Sequence, residues 1–381
     1  MMQIRFLWPR STQVLIYGEL GEGILRKAIP SDYATEVLPI RERLPITIRF
    51  SFLRRCLVNY VRYKLSPRQA HFSALIDEFK PRVVISFVDN NSVMGAYAEL
   101  RPDVLVISIQ NAIRSEAAIA KQVGRAPLYF SLGDITKEIF EETKVRYQRI
   151  ESVGSMLLGV YLAENMFGQE ECDLVFVSSY RETWDVQNDD YHRALLDAHQ
   201  TIFSHLLRFA KAHSKRIIVL AKGKVLNEGE HFAEEEEFYR KLANGADYTL
   251  ISSVKDTFTS YRTVLSANVV IAIDSTLAYE MLSVGRKTIF GWVSNACLKS
   301  HKEVIRYTKY LPKSLVLSNE KYDEFHQKVA ALIDLPPEDY DVTIKQHKSK
   351  YVNQDINNPP HSVIEREIRR HIEQDCRMES A

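Results

Sequence analysis

At 381 residues the chain exceeds the length at which one hydrophobic core stops growing, so two domains are expected. Hydrophobic residues make up 45% and charged residues 26%, a globular composition, and a formal charge of +1 gives no whole-molecule case for nucleic acid or a strongly acidic partner. Cys56, Cys172, Cys297 and Cys376 lie far apart, with no C-x-x-C pair and no histidine at ligand spacing, which argues against zinc and a disulfide framework and favours a reducing cytoplasm.

The N-terminus shows no basic segment followed by a long apolar one, and no later run reaches the span of a membrane helix, so neither export nor an integral membrane protein is expected. Gln13 to Tyr17 reads as the first strand. The glycines that follow it, Gly18, Gly21 and Gly23, lack the G-x-G-x-x-G order. No G-x-x-x-x-G-K-[ST] occurs, which disfavours a P-loop ATPase or a typical dinucleotide enzyme. Between Arg41 and Gln69 eight basic residues face a single acid, Glu42, and Phe50, Leu53, Cys56, Leu57, Tyr60, Val61 and Leu65 recur at helical spacing. Two readings stay open for 41–69: a helix lying on an anionic membrane surface, or an ordinary packed helix with solvated arginines.

Further strands are expected at Val83 to Val88, Val104 to Ile109 and Pro127 to Phe130. Glycine-rich punctuation from Gly154 to Gly168 then separates the halves. The second half gives strands at Leu174 to Val177, Ile217 to Leu220, Tyr248 to Ile251, Val269 to Ile273 and Thr288 to Phe290. Helices are expected at Asp190 to His213, Glu234 to Ala243 and Thr257 to Leu265. The acidic run Glu234 to Glu237 reads as a solvated helix start, with its acids near the positive end. An Asn/Pro loop, Val352 to Pro360, leads to an amphipathic helix, Ser362 to Gln374, and the last few residues read as disordered. The fold class is therefore α/β, with two Rossmann-like doubly wound domains facing across a cleft. Their expected bounds are 1–160, 161–350 and a tail, 351–381, that packs back on the first domain.

In such sheets ligands bind at strand carboxyl ends. Asp89-Asn90-Asn91 and Gln110-Asn111 with Arg114 follow strands of the first domain; Ser178-Ser179 with Arg181, Lys222 with Lys224, and Asp274-Ser275-Thr276 follow strands of the second. The last group opens a short helix that Gly285 ends, so its amides and hydroxyls can hold the phosphate of a nucleotide-activated sugar. Glu280 lies one turn on, placed for a ribose or sugar hydroxyl. Lys222, Lys224, Arg181, Ser275 and Thr276 can take up charge on a leaving phosphate, and Asp89 is the carboxylate placed to act as base or nucleophile. Each group also has a plain structural reading, as helix caps, Asx turns or surface lysines. The eleven histidines show no H-E-x-x-H or comparable arrangement.

With these residues the chain resembles bacterial surface-carbohydrate biosynthesis proteins of O-antigen and capsule loci, including those of spirochaete type, over most of its length. The resemblance is carried by Val84 to Asn91, Ile107 to Arg114, Phe130 to Asp134, Val153 to Gly159, Val175 to Glu182 and Ile273 to Glu280. Ala112 stands where that family has glycine after Gln-Asn. The last segment is also similar to the donor-binding segment of GT-B transferases, glycerophosphotransferases and UDP-sugar 2-epimerases. The resemblance implies a GT-B glycosyltransferase, with a nucleotide-sugar donor in the second domain and a glycan or lipid-linked glycan acceptor in the first. It implies no metal and no cofactor beyond that substrate. Some GT-B enzymes of these loci use CMP-activated ulosonic acids such as Kdo; their His-Pro phosphate motif is absent, with Lys222-Gly-Lys224 at the comparable strand end, so the donor stays open between CMP- and NDP-sugars. The expected place is the cytoplasm, at the inner face of the plasma membrane. The alternatives are an NDP-sugar 2-epimerase and a non-catalytic subunit of a polysaccharide assembly complex.

Overall fold

The computed structural model describes the chain except residues 1–3, 42–43, 115, 117–118, 120–124, 165–171, 181–189, 223–229, 253–257, 274, 294–307 and 380–381. The chain divides into two compact units, Met1–Ala163 with Val352–Ala381, and Glu164–Tyr351.

Unit 1 contains β1 (Ile4–Phe6), β2 (Val14–Tyr17), β3 (Thr35–Leu38), β4 (Leu44–Ile46), β5 (Val83–Ser86), β6 (Leu105–Ile109), β7 (Arg125–Ser131) and β8 (Arg146–Ser152). Six of them form one sheet in the order β3-β2-β5-β6-β7-β8, while β1 and β4 pair separately. All of these pairings are parallel. β2, β5 and β6 are nearly continuous aliphatic runs and are buried on both faces, the pattern that a parallel sheet covered by helices requires. The helix Ser92–Leu100 lies so close to β7 that Gly95 has no room for a Cβ against the Arg125 carbonyl.

The segment after 351 belongs to unit 1 through specific bonds. Asn353 donates its N–H to the Leu132 carbonyl at 2.7 Å and its amide to that of Ser152 at 2.9 Å, and Gln354 Oε1 accepts the Ser155 N–H at 3.0 Å. The helix Pro360–Glu379 follows, burying Ile364, Ile368 and Ile372 at helical spacing and pairing Glu367 with Arg149 of β8 at 2.7 Å.

Unit 2 contains β9 (Cys172–Val177), β10 (Ile217–Leu220), β11 (Thr249–Ile251), β12 (Ala267–Ala272) and β13 (Lys287–Phe290), in the order β11-β10-β9-β12-β13. All four pairings are parallel. The helix Asp190–His213 forms because Leu195, Ala198, Ile202, Leu206 and Phe209 recur every three or four residues and meet the core. The helix Thr276–Ser283 stops at Gly285, whose φ of +80° is the left-handed C′ position. There the Gly285 N–H bonds the Leu282 carbonyl and the Arg286 N–H that of Met281. Among the described residues no helix is long and apolar enough to cross a membrane.

Candidate functional site

In unit 2 the order β11-β10-β9-β12-β13 runs outward in both directions from β9, so the strand sequence reverses between β9 and β12. Ligands of open parallel sheets sit outside the carboxyl ends of the strands at that reversal. The two strands end level, with Val177 opposite Ala272. Ser178 and Ser179 continue from the first, and Ser275 and Thr276 follow the second.

Ser275 is the N-cap residue of the helix Thr276–Ser283, with extended φ −144° and ψ 127°, yet its side chain makes no capping bond. Amides at the start of that helix carry its positive end, and together with neighbouring hydroxyls they make a receptor for an anion. Ser178, Ser179, Ser275, Thr276 and the exposed Lys222 at the end of β10 share this edge of the sheet. Arg181, Lys224 and Asp274 lie outside the described residues.

A buried acid organises the edge. Ser178 donates its hydroxyl to Glu235 Oε1 at 2.5 Å and accepts the Tyr180 N–H at 3.1 Å; Glu235 also accepts the Lys222 N–H at 3.1 Å. One carboxylate thereby ties the ends of β9 and β10 together. Glu235 is fully buried, which corrects the reading of the whole Glu234 to Glu237 run as a solvated helix start. It shares the inner face of the helix Glu230–Ala243 with Tyr239 one turn on, while Glu234 and Glu236 are exposed.

Behind it, the Tyr239 hydroxyl meets His199 Nε2 at 2.5 Å. Burial raises the Tyr239 phenol well above its ordinary range, and burial with the nearby charge of Lys222 pushes His199 down to about 3. The imidazole is thus neutral in the folded chain while its unfolded value is 6.5. The unfolded state binds the extra proton below that value, so stability is present above pH 6.5 and is lost as pH falls toward 3. Between about pH 8 and pH 5 this one group is expected to remove about 2 kcal/mol. Urea unfolding of unit 2 at the two pH values checks this, with His199→Phe giving a flatter dependence; an unchanged slope in the variant contradicts it.

Glu280 is also buried, and its Oε1 accepts the Tyr261 hydroxyl from the helix Thr259–Leu265 at 3.0 Å. This bond orients the Glu280 carboxylate within unit 2.

In unit 1 the expected residues meet at the ends of β5 and β6. Asp89 is buried with a fully covered side chain, and Arg114 approaches it in two-pronged fashion, Nη2 to Oδ1 at 2.6 Å and Nε to Oδ2 at 3.1 Å. Tyr129 of β7, a residue the sequence reading did not single out, donates its hydroxyl to Asp89 Oδ2 at 2.9 Å. Arg114 also reaches Asn111 Oδ1 at 2.6 Å, and Asn111 donates to the Phe87 carbonyl at 2.6 Å. With both oxygens engaged, Asp89 holds Arg114 in place.

Asn91 caps the helix Ser92–Leu100 by accepting the Val93 N–H at 2.9 Å, and Asn90 beside it is half-buried. Gln110 is buried: its Oε1 accepts from the Leu132 N–H and the Thr136 hydroxyl, both at 2.9 Å, while its amide donates to the Ala112 carbonyl at 3.0 Å. Gln110 and Asn91 therefore shape loops, and Arg114, with 21% of its side chain exposed, is the charged group this cluster presents. Among the described residues no group of three or more His, Cys, Asp or Glu side chains could hold a metal ion.

Comparison with known proteins adds a family and a fold. Residues 138–362 match a family model described as "putative O-antigen biosynthesis protein". No curated protein matches the sequence. Among solved structures, the UDP-GlcNAc 2-epimerase from Neisseria meningitidis bound to UDP-GlcNAc is 10% identical and aligns over 98% of this chain and 100% of its own, with a TM-score of 0.52. S. aureus MnaA, in a co-structure with UDP, is 12% identical over 99% and 97%, with a TM-score of 0.55. A variant of the wall teichoic acid polymerase TagF is 9% identical over 96% and 90%, with a TM-score of 0.54. At these identities the likeness concerns the fold alone, which is GT-B.

Proposed function

The chain belongs to this O-antigen biosynthesis family, and from that premise we propose that it is a sugar-handling GT-B enzyme, specifically a glycosyltransferase that moves a sugar from a nucleotide-activated donor to a growing cell-surface glycan. The observation that carries the reading is the level ending of β9 and β12 at the strand reversal of unit 2, with Ser178-Ser179 on one strand and the uncapped Ser275-Thr276 helix start on the other.

In this reading the donor phosphate lies against the amides opening the helix Thr276–Ser283, with the Ser179 and Ser275 hydroxyls around it, while Ser178, whose proton goes to Glu235, fixes the end of β9. Lys222 supplies positive charge as the nucleotide leaves, and no metal is invoked. Glu235 acts through Ser178 and the Lys222 backbone and is a positioning residue. Unit 1 takes the acceptor, with Arg114 held by Asp89 as the group that meets it. The acceptor is a glycan carried on lipid, met at the cytoplasmic face of the membrane.

An epimerase reading is favoured by the UDP-GlcNAc 2-epimerase bound to UDP-GlcNAc among the structures of this fold. The two readings part on the need for an acceptor. Full-length protein is incubated with CMP-, UDP- and GDP-sugars, with and without a lipid-linked glycan extract. The transferase reading expects nucleotide release that depends on the acceptor and falls about 100-fold in Ser275→Ala/Thr276→Ala. Conversion of the donor sugar without acceptor gives the epimerase instead, and no reaction of any donor with or without acceptor overturns both.

A further inference from the structure

Of the twelve large hydrophobic side chains that stand exposed among the described residues, ten lie between Ile4 and Tyr63 of unit 1. Phe50, at 80% exposure, with Leu53, Leu57, Tyr60 and Val61, forms one stripe along the helix Phe50–Val61. That helix already has an inner face. Phe52 and Asn59 are buried, Phe52 meets His71 edge-on at 5.3 Å, and Arg49 and Arg55 reach the buried Glu78 of the helix Pro67–Phe79 at 3.3 and 3.6 Å. The single stripe read from sequence therefore splits: Cys56 packs against the core with Phe52, Leu65 is half-buried, and Phe50, Leu53, Leu57, Tyr60 and Val61 face solvent.

Two neighbouring segments extend the apolar face. The Leu7 N–H bonds the Ile46 carbonyl at 2.8 Å and Arg49 Nη2 bonds the Pro9 carbonyl at 2.8 Å, which pins Trp8, 70% exposed, beside the start of the helix; Ile48, exposed as well, lies between these anchors. Along and just after the helix stand Arg54, Arg62 and Lys64, with no acid in ion-pair contact among the described residues. Arg62 and Arg68 rest over the rings of Tyr63 and Phe72.

We propose that this face docks on a lipid bilayer carrying anionic headgroups, with Trp8, Phe50 and Leu57 entering the interface and the arginines meeting the headgroups. A second copy of the chain would bring the same cations against one another, whereas an anionic bilayer accommodates both the apolar stripe and its basic border. The proposal rests on the transferase reading for its purpose, a lipid-borne acceptor, and on the exposed face for its evidence.

The test sediments full-length protein with vesicles of phosphatidylcholine, with or without phosphatidylglycerol. Partitioning is expected to be at least about tenfold stronger on the anionic vesicles and to weaken with salt. Phe50→Ser/Leu57→Ser is expected to lower it about tenfold, and Arg54→Gln/Arg62→Gln to lower it comparably at low salt. Both pairs change exposed side chains, so circular dichroism and nucleotide binding by unit 2 are expected to match wild type, which separates failure of docking from failure of the transferase reading. Absence of binding, equal binding to both vesicle types, or a wild-type dimer that Leu57→Ser dissociates overturns the proposal, the last in favour of a second copy.

Discussion

Asp89→Asn is expected to destabilise unit 1 by about 3 kcal/mol, because it removes the charge that pairs Arg114 inside the protein. Breaking one side of a buried pair typically costs about 3–5 kcal/mol, and the lower end applies because Arg114 keeps 21% of its side chain in solvent. Tyr129 and Asn111 then lose the carboxylate around which they and Arg114 are ordered. The double variant Asp89→Asn/Arg114→Gln is expected to recover part of the loss, a coupling that urea unfolding of the four-member cycle measures. An Asp89→Asn variant as stable as wild type but devoid of transfer would instead make this carboxylate the base expected from sequence.

Glu235→Leu is expected to cost unit 2 about 3 kcal/mol and to weaken nucleotide binding at the same time. The substitution removes the acceptor of a buried donor, the Ser178 hydroxyl, worth about 1–3 kcal/mol, and of a part-buried one, the Lys222 N–H. It also releases the ends of β9 and β10 from one another, so Ser178 loses its orientation. Glu234→Ala and Glu236→Ala, on the exposed side of the same helix, are expected to stay within about 0.5 kcal/mol of wild type. Urea unfolding followed by nucleotide titration reads both effects. Unchanged unfolding of Glu235→Leu would remove the acid from its organising role.

The pattern of recovered elements follows burial. Strands buried on both faces are apolar throughout, so Ile217–Leu220 is legible to the residue and Thr288 to Phe290 to within one residue at its start. The helix Asp190–His213 is legible in full because its apolar residues keep the helical period over 24 positions. Arg146–Ser152 at the sheet edge is missed: its sequence RYQRIES is polar and only half-buried, and its register comes from β7. Thr35–Leu38, half-buried at the opposite edge, is missed for the same reason. β1 and β4 are three residues each and give no periodic signal.

Hydroxyls at strand ends are visible in the sequence because strand and turn residues are contiguous there. The partners that hold them come from elsewhere in the chain. Glu235 hides in an acidic run that looks solvated, and the one signal that singles it out is its position four residues before the buried Tyr239 on the same helical face. Tyr129 hides inside an apolar strand, and the bond from its hydroxyl to Asp89 follows from the pairing of β6 with β7. Asp89 and Arg114 both stand out as polar residues after strands, yet their bonding to each other exists only once β5 and β6 lie side by side.

The central claim is that the β9/β12 edge of unit 2 receives the phosphate of an activated sugar. Calorimetric titration of CMP, UDP and GDP into wild type and into Ser275→Ala/Thr276→Ala tests it most directly. The account predicts that one of these nucleotides binds wild type and that the paired substitution weakens it at least about tenfold, the loss of hydrogen bonds to a charged group. Binding of equal strength in the variant, or no binding of any of the three to wild type, would contradict it.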